Sequence, residues 1–282
     1  MILTVITINR NNASGLEKTM RSVLSQTRTD FEYVVVDGAS TDGSVEVVKR
    51  LAPEFGGRLK WISEPDKGIY NAMNKGIGMA SGQYVEFLNS GDCLASEEVV
   101  ARMYAALERE EYPGILYGNM LKDMPDGRPL KDKCFAGKEI SFLGFYMGTL
   151  NHSPAYIRKD LFDKYGLYDE SLKIVSDWKW YMQAIILGEE KPVYADMDVT
   201  LFDMTGISET NKTLDKQERE KVLSELIPHT FLVDYDTWSF SIDQMKRLKR
   251  HPWAFKLVWF LERCLFKLEK AARSRKRVTL WQ

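Results

Sequence analysis

Two alternating hydrophobic patterns run through the first 120 residues and constrain the fold more than any other feature of this chain. Short runs rich in β-branched residues occupy positions 3–8, 31–36, 59–62, 84–88 and 115–117. Between them, apolar residues recur with helical spacing over about 15–26, 43–52, 69–80 and 96–110. Ser14 and Ser96 are the expected N-caps of the first and last of these helices. Repeated strand–helix units predict a mostly parallel, Rossmann-like α/β sheet with helices on both faces.

Composition fits a folded chain of this class and limits its partners. Of 282 residues, 44% are hydrophobic and 28% charged, so we expect one large domain, or one domain with an appendage. The net charge of −1 gives no reason to expect a nucleic-acid partner. The three cysteines are widely spaced, which indicates neither a disulfide framework nor a zinc site and fits a reducing cytosol. No apolar run reaches the roughly 18 residues of a membrane span, so any membrane contact is expected from the side.

Polar loops follow each of the first four predicted strands. In parallel sheets, ligands bind beyond the carboxyl ends of the strands, so these loops are expected to meet at one edge. The loops cover residues 9–11, 37–43, 64–68 and 89–92. Turn-forming residues are common in any loop. Four successive loops that carry groups suited to ribose, phosphate or metal nevertheless predict a nucleotide site.

Two aspartates in these loops are candidate ligand contacts. Asp37 ends an apolar strand, where a carboxylate can accept hydrogen bonds from a base N–H or a ribose hydroxyl. It can equally form a turn, and Asp42 is placed to cap the following helix. Asp92 follows Asn89 at the end of the fourth strand and is the candidate ligand for Mg²⁺ or Mn²⁺, which would stabilise a departing diphosphate. A plain loop aspartate is the alternative there.

A second group of candidates lies well after the nucleotide half. Asp177 is placed to act as a general base, with Trp178 and Trp180 as a wall for sugar stacking. The alternative is a helix-capping aspartate beside core tryptophans. His152 is a candidate metal ligand, acceptor contact or packed polar residue, and the turn at 205–208 is either a substrate-wrapping segment or a plain loop.

The rest of the chain changes character. We expect a turn-rich loop at 124–129, helices at 160–168 and 178–187, a strand at 193–202, and a helical region from about 218 that is broken at Pro228 and Pro252. Residues 246–282 hold 12 basic and 2 acidic residues, a net charge of +10, which leaves −11 on residues 1–245. The helix after Pro252 combines a broad apolar face with a basic strip, which suits an anionic bilayer surface. Packing on the sheet domain or a dimer contact is the alternative.

Four segments, in this order and spacing, resemble the inverting glycosyltransferases with a GT-A fold, commonly called family 2. The segments are TVITINRN at 4–11, VVDGASTDGS at 35–44, DKGIYNAMNKG at 66–76 and FLNSGD at 87–92. The resemblance covers roughly residues 1–210 and is nearest to bacterial enzymes that build exopolysaccharide, O-antigen or capsule repeat units.

The resemblance assigns roles to individual residues. It implies that Thr7, Asn9 and Arg10 contact the nucleotide, that Asp37 reads the base, that Asp92 binds the metal and that Asp177 is the catalytic base. The implied donor contacts also include Lys67, Asn74 and Asn89, and the implied acceptor-side contacts are His152, Trp178 and Gly206.

The sequence departs from the family pattern in two places. Asn89 and Gly91 stand where carboxylates are common, which leaves Asp92 as the one sure acidic ligand of the metal motif. Met73 stands where an arginine often precedes the asparagine of the third motif, and Lys67 is a candidate for the missing positive charge.

The expected activity is inverting transfer of a sugar from a nucleoside diphosphate, with uridine as the expected base, to a hydroxyl of a lipid-linked saccharide. Residues 1–118 would bind the nucleotide sugar, residues 119–210 the acceptor, and residues 211–282 would form a helical extension whose part from 250 onward meets an anionic membrane. The expected location is the cytoplasm, on the cytoplasmic face of the inner membrane, and a homo-oligomer is compatible with the sequence. A sugar nucleotidyltransferase and a non-catalytic nucleotide-sugar-binding adaptor remain as alternatives.

Overall fold

A computed structural model describes residues 1–124, 127–204 and 211–278 of the chain. Its contacts divide the chain into two compact units, Met1–Val222 and a second unit from Leu223 onward. This boundary lies after both halves of the expected glycosyltransferase domain, and the division of that domain near residue 118 stays a prediction.

The first 122 residues form the expected alternation of strands and helices. The strands are β1 (Leu3–Asn9), β2 (Glu32–Asp37), β3 (Leu59–Ser63), β4 (Tyr84–Phe87), β5 (Cys93–Leu94) and β6 (Ile115–Lys122). The helices are α1 (Ala13–Leu24), α2 (Ser44–Leu51), α3 (Ile69–Met79) and α4 (Val99–Arg109), with a 3₁₀ turn at Ala52–Phe55. Every residue of β1 and β2 is buried, as expected for strands covered on both faces.

The second half adds shorter elements and then three helices. The strands are β7 (Leu130–Asp132), β8 (Ala155–Arg158) and β9 (Val193–Phe202). The helices are α5 (Phe142–Met147), α6 (Asp160–Tyr165), α7 (Ser176–Tyr181), a π-helical segment at Met182–Leu187, α8 (Lys212–Leu226), α9 (His229–Lys249) and α10 (Pro252–Val278). The expected helix at 178–187 therefore begins earlier and changes to π-helical hydrogen bonding at Met182.

In the described residues, the nine strands form one sheet. Its order is β3-β2-β1-β4-β8-β6-β9-β5, with β7 paired to β6. The pairs among β3, β2, β1 and β4 are parallel, as is β6 with β9, whereas β8 is antiparallel to both β4 and β6. The carboxyl ends of β1, β2, β3 and β4 thus share one edge, which is where the sequence predicted ligand-binding loops.

Two expected helix caps are wrong. The α1 helix begins at Ala13, and Asn12 caps it by accepting a hydrogen bond from the Gly15 N–H, so Ser14 lies inside the helix. The α4 helix begins at Val99 with Glu98 at the cap position, and the N–H of Val100 in its first turn donates to Gln26 Oε1 at 3.1 Å, so a side chain from the α1–β2 connection takes the role expected of Ser96. Both errors shift a boundary by a few residues and leave the element in place.

The helices pack on both faces of the sheet through alternating strand residues. Residues such as Val5 and Val35 face the helices α1, α2 and α4 in one apolar cluster. Ile6, on the opposite face of β1, lies against α3, and a Cβ atom at Gly76 would stand 2.5 Å from the Ile6 side chain. Gly76 is therefore required for the close approach of α3 to the sheet.

Helices α9 and α10 belong to the second unit. Many apolar side chains on them are exposed; on α10 these include Trp253, Leu257, Phe260, Leu261, Leu265 and Leu268. Among the described residues, no helix is both long enough and apolar enough to cross a bilayer.

Candidate functional site

A cleft of about 950 Å³ opens at the carboxyl ends of the first four strands. Its lining comes from the loops after β1, β3 and β4 on one side and from the segments before β8, at the start of α7 and along α8 on the other. The lining runs from Ile8 to Arg219 in the chain, so the cleft exists only in the folded protein.

The loops after β1 and β2 are held together by Asp37. Asn9 and Asp37 are partners in the strand register, and Asn9 Nδ2 donates to Asp37 Oδ1 at 2.8 Å. The hydroxyls of Ser40 and Ser63 each donate to Asp37 at 2.6 Å. Burial acts to raise the pKa of Asp37, but these hydrogen bonds outweigh it and hold the pKa below its ordinary value. Asp37 is thus an ionised, fully buried anchor beneath the loops, whereas Asn9 and Arg10 line the cleft.

Asp66 lines the cleft, although sequence reasoning did not select it as a site residue. Its carboxylate lies 3.7 Å from Arg10 Nη1, and a Cβ atom at Gly38 would stand 2.2 Å from its Oδ2. Because Gly38 has no side chain, the Asp66 carboxylate has room at the cleft edge. Asp66 lies within the polar loop at 64–68, and only the packing of that loop against Gly38 shows that its side chain reaches the cleft.

Asp92 and Asn89 form the deep end of the donor side. Asp92 Oδ1 accepts the backbone N–H of Asp203, at the end of β9, at 2.9 Å. Asp92 Oδ2 and Asn89 Oδ1 are buried without a hydrogen-bond partner among the described residues. Burial raises the pKa of Asp92 to about 7. Orphaned buried oxygens of this kind suit a hard divalent cation that brings its own phosphate and water ligands. No group of three or more His, Cys, Asp or Glu side chains in the described ranges is placed to hold a metal.

Asp177 and His152 form a hydrogen-bonded pair on the opposite wall. His152 Nδ1 lies 2.9 Å from Asp177 Oδ2, and the Tyr70 hydroxyl donates to Asp177 Oδ1 at 3.0 Å. Burial acts to raise the pKa of Asp177, but His152 outweighs it and the pKa is lowered. Burial acts to lower the pKa of His152, but the bond to Asp177 outweighs it and the pKa is raised. His152 Nε2 points the other way, 3.4 Å from Asn89 Nδ2.

Glu218, on α8, positions the segment before Asp177. Its carboxylate accepts the backbone N–H groups of Lys173, Ile174 and Val175 at 2.8, 2.9 and 3.3 Å. The Ile174 carbonyl lies 2.5 Å from the Tyr70 hydroxyl oxygen and shares the single hydroxyl proton with Asp177. Sequence reasoning missed Glu218, because one glutamate in a highly charged helix carries no local signal.

Several predicted site residues come together in the cleft and others do not. Asn9, Arg10, Asn89, Asp92, His152, Asp177 and Trp178 all line it. Thr7, Asp37, Lys67 and Asn74 do not line it. Thr7 donates to the Leu88 carbonyl, Asn74 bonds Tyr168 and Glu170, and the Lys67 side chain is exposed. Their roles toward a donor stay predictions, and Gly206, with the turn at 205–208, lies outside the described residues.

The prediction that Trp178 and Trp180 together form a sugar-stacking wall is wrong for Trp180. Trp178 lies at the cleft, and its indole N–H donates to the carbonyls of Phe145 and Gly148 at 3.0 Å. Trp180 instead stacks on Phe162, with ring centroids 4.7 Å apart, inside an aromatic cluster. Two residues that are two positions apart on a helix point about 160–200° away from each other, so only one of the two tryptophans reaches the cleft.

Comparisons with known proteins identify the family of this chain. The profile of "Glycosyl transferase family 2" matches residues 4–170, more than half of the chain. A PGL/p-HBAD biosynthesis glycosyltransferase of Mycobacterium bovis is 29% identical over 177 residues, which cover 63% of this chain and 67% of the relative. An uncharacterised glycosyltransferase of Mycobacterium tuberculosis is 32% identical over 214 residues, 73% of this chain and 76% of the relative.

Two solved structures share the fold. Staphylococcus aureus TarS 1–349 in complex with UDP-GlcNAc superposes with a TM-score of 0.64 at 21% identity, over 79% of this chain and 64% of that one. The mannosyltransferase PcManGT from Pyrobaculum calidifontis, in complex with GDP-Man and Mn²⁺, gives 0.61 at 17% identity, over 90% and 72%. This chain spans less than two thirds of the TarS fragment.

Proposed function

This chain belongs to glycosyl transferase family 2 and has the GT-A fold, and from that premise we propose that it moves a sugar from a nucleoside diphosphate to an acceptor hydroxyl with inversion. The observation that supports the proposal is the cleft itself. Donor-side loops with Asn89 and Asp92 line it together with the Asp177–His152 pair, and His152 Nε2 lies 3.4 Å from Asn89 Nδ2. A sugar bound between them would have its anomeric carbon between a leaving group and a base.

The proposed donor is a nucleoside diphosphate sugar, with UDP as the expected nucleotide. TarS 1–349 binds UDP-GlcNAc and PcManGT binds GDP-Man, which supports this class of donor. In this chain Asn9, Arg10 and Asp66 lie together at the cleft edge, where N–H and carboxylate groups suit a base and ribose. The deep end at Asn89 and Asp92 is then left for the diphosphate.

A divalent cation fits that deep end. Mn²⁺ is present in the structures of PcManGT and of GalNAc-T7. Here the buried, unpartnered Asp92 Oδ2 and Asn89 Oδ1 would hold Mg²⁺ or Mn²⁺, which supplies positive charge to a departing diphosphate. Asp92 would be ionised in that complex, because the cation offsets the burial that otherwise raises its pKa.

Asp177 is the proposed base. As the acceptor oxygen forms a bond to the anomeric carbon, the bond from that carbon to the diphosphate breaks and Asp177 takes the hydroxyl proton. His152 and Tyr70 hold the two carboxylate oxygens, so the base is oriented before the acceptor arrives. Displacement from the face opposite the leaving group inverts the anomeric centre.

The proposed acceptor is a lipid-linked saccharide at a membrane surface. The support is the basic, apolar surface of α10, whose aromatic and leucine side chains are exposed. Such a helix would hold the enzyme on the cytoplasmic face of the inner membrane, where a polyprenyl-linked acceptor is displayed.

Asp177→Asn tests the proposal. We expect the variant to release nucleoside diphosphate from its donor at least about 10²-fold more slowly than the wild type, the usual contribution of a positioned base, while donor binding by thermal shift is unchanged. The matched control is Asp163→Asn, an exposed aspartate on α6.

Three outcomes decide between the proposal and its rivals. Equal turnover by both variants would contradict the role of Asp177. Donor binding without turnover in the wild type would favour a non-catalytic adaptor. Formation of a nucleotide sugar from a nucleoside triphosphate and a sugar phosphate would favour a nucleotidyltransferase.

A further inference from the structure

We propose that Asp203, at the end of β9, supplies the second carboxylate of the divalent-cation site, in place of the carboxylate that the β4 loop lacks at Gly91. The inference rests on the metal-assisted transfer proposed above. It assigns a ligand from a strand that lies 111 residues after Asp92 in the chain.

The first support is the space around Gly91. This glycine has a φ of +109°, and a Cβ atom built on it would lie 2.7 Å from Asp203 Oδ2 and 3.4 Å from Asp203 Cγ. The carboxylate of Asp203 therefore occupies the volume in which a side chain at position 91 would begin. Any other residue at position 91 would displace the Asp203 carboxylate. Its own backbone would also be strained at this φ.

The second support is the tie between β9 and the β4 loop. The Asp203 backbone N–H donates to Asp92 Oδ1 at 2.9 Å, and β5 pairs with β9 through Cys93↔Leu201. Asp92 directly precedes β5 and Asp203 directly follows β9, so both carboxylates are attached to the ends of paired strands. A site built in this way needs little reordering when a cation binds.

The third support is a pair of buried oxygens that lack hydrogen-bond partners among the described residues. Asp92 is 3% exposed and its Oδ2 has no hydrogen-bond partner among the described residues, as is also true of Asn89 Oδ1. Asp92, Asn89 and Asp203 all line the cleft. Two carboxylates and an amide oxygen are a sufficient protein contribution for Mg²⁺ or Mn²⁺, which completes its shell with phosphate oxygens and water.

The test is Mn²⁺ binding by the purified full chain, followed by the electron paramagnetic resonance signal of free Mn²⁺. Asp203→Asn keeps the backbone N–H that Asp92 accepts and removes only the charge. We expect about a ten-fold or greater loss of Mn²⁺ affinity in Asp203→Asn, a similar or larger loss in Asp92→Asn, and no change in the control Asp163→Asn. Thermal unfolding without metal checks that each variant is folded, and Asp203→Ser replaces Asp203→Asn if the latter is not.

The outcomes separate this inference from the proposed function. Mn²⁺ binding by Asp203→Asn equal to that of Asp163→Asn, with binding lost in Asp92→Asn, would overturn the role of Asp203 and leave the metal site in place. Absence of Mn²⁺ binding in the wild type would overturn both the inference and the proposed metal assistance. The two-carboxylate site is supported only if Asp92→Asn and Asp203→Asn both lose Mn²⁺ affinity.

Discussion

Carboxylates near the cleft differ mainly in what surrounds them. Asp37 is buried beneath the loops, and the four hydrogen bonds that it accepts hold its carboxylate in place. Asp92 is equally buried but keeps one oxygen without a partner among the described residues. Asp177 has both oxygens held by side chains that can themselves carry or release a proton. The three aspartates are alike in the sequence, and their surroundings give them different chemistry.

Glu86 lies outside the cleft lining and allows a test of how burial shifts the pKa of a carboxyl group. It lies on β4, fully buried, and burial raises its pKa well above the ordinary value. Its neutral form is favoured in the folded protein, so its contribution to stability is complete below about pH 4.5 and is lost as pH rises toward the raised pKa. We expect the unfolding free energy of the wild type to fall by up to about 1.4 kcal/mol per pH unit in that range.

Glu86→Gln is the comparison for this effect. Glutamine cannot ionise, so the variant should show a smaller decrease in unfolding free energy between pH 5 and pH 8. Denaturant titrations at both pH values measure the difference. Identical pH dependence in the two proteins would show that Glu86 does not bind its proton more tightly in the fold.

At the level of elements, helices fix the wall that carries the proposed base. Tyr70 on α3 contacts Asp177 and the Ile174 carbonyl. Glu218 on α8 accepts three successive backbone N–H groups just before α7. The segment 173–175 is irregular, and these two helices satisfy its polar groups in place of regular secondary structure. The position of Asp177 therefore depends on packing between elements more than on α7 itself.

Glu218→Ala should disturb both stability and turnover. The substitution leaves up to three largely buried N–H groups without an acceptor, and we expect the unfolding free energy to fall by about 2–4 kcal/mol. Turnover should fall about ten-fold or more, because the segment that positions Asp177 loosens.

The control for Glu218→Ala is on the same helix. Glu220 is exposed and pairs with Lys216 at 3.7 Å, so Glu220→Ala should change stability by less than about 1 kcal/mol and leave turnover unchanged. Chemical denaturation and release of nucleoside diphosphate are the measurements. Equal effects of both substitutions would contradict the anchoring role of Glu218.

At the level of the whole molecule, charge is divided along the chain. Residues 1–245 carry a net charge of −11 and residues 246–282 a net charge of +10. The α10 helix combines exposed apolar side chains with basic residues at 256, 263, 267 and 270 along one strip. An anionic bilayer suits this surface, because its negative head groups attract the basic residues and its apolar interior accepts the exposed apolar side chains.

Neutralising that strip should weaken membrane binding. We expect the quadruple variant Lys256→Gln, Arg263→Gln, Lys267→Gln, Lys270→Gln to bind vesicles with anionic lipid at least about ten-fold more weakly than the wild type, since each basic residue near such a surface contributes about 1 kcal/mol. Co-sedimentation with anionic and with neutral vesicles measures the effect.

The control makes the same change of charge in the first unit. Its four substitutions are Lys49→Gln, Arg102→Gln, Lys138→Gln and Lys191→Gln, all at exposed side chains. Equal loss of binding in the two variants would show that net charge alone, and not α10, determines vesicle binding.

The sequence by itself determined the elements and the edge at which the cleft lies. Strand and helix periods are local properties, so the first four strand–helix units, the α/β class and the long strand at 193–202 are confirmed. Cap residues were placed less well, because the acceptor of a first-turn N–H can be remote in the sequence, as Gln26 Oε1 is for the Val100 N–H of α4.

Only the tertiary structure decided which side chains face the cleft and which serve the core. Trp178 and Trp180 are two residues apart, and one lines the cleft while the other lies among aromatic rings. Asp66, Glu218 and Asp203 emerged as candidates only when segments 28 to 111 residues from their partners came into contact. The physical reason is that hydrogen bonds, burial and like-charge proximity depend on neighbours in space, which a linear pattern of residues does not specify.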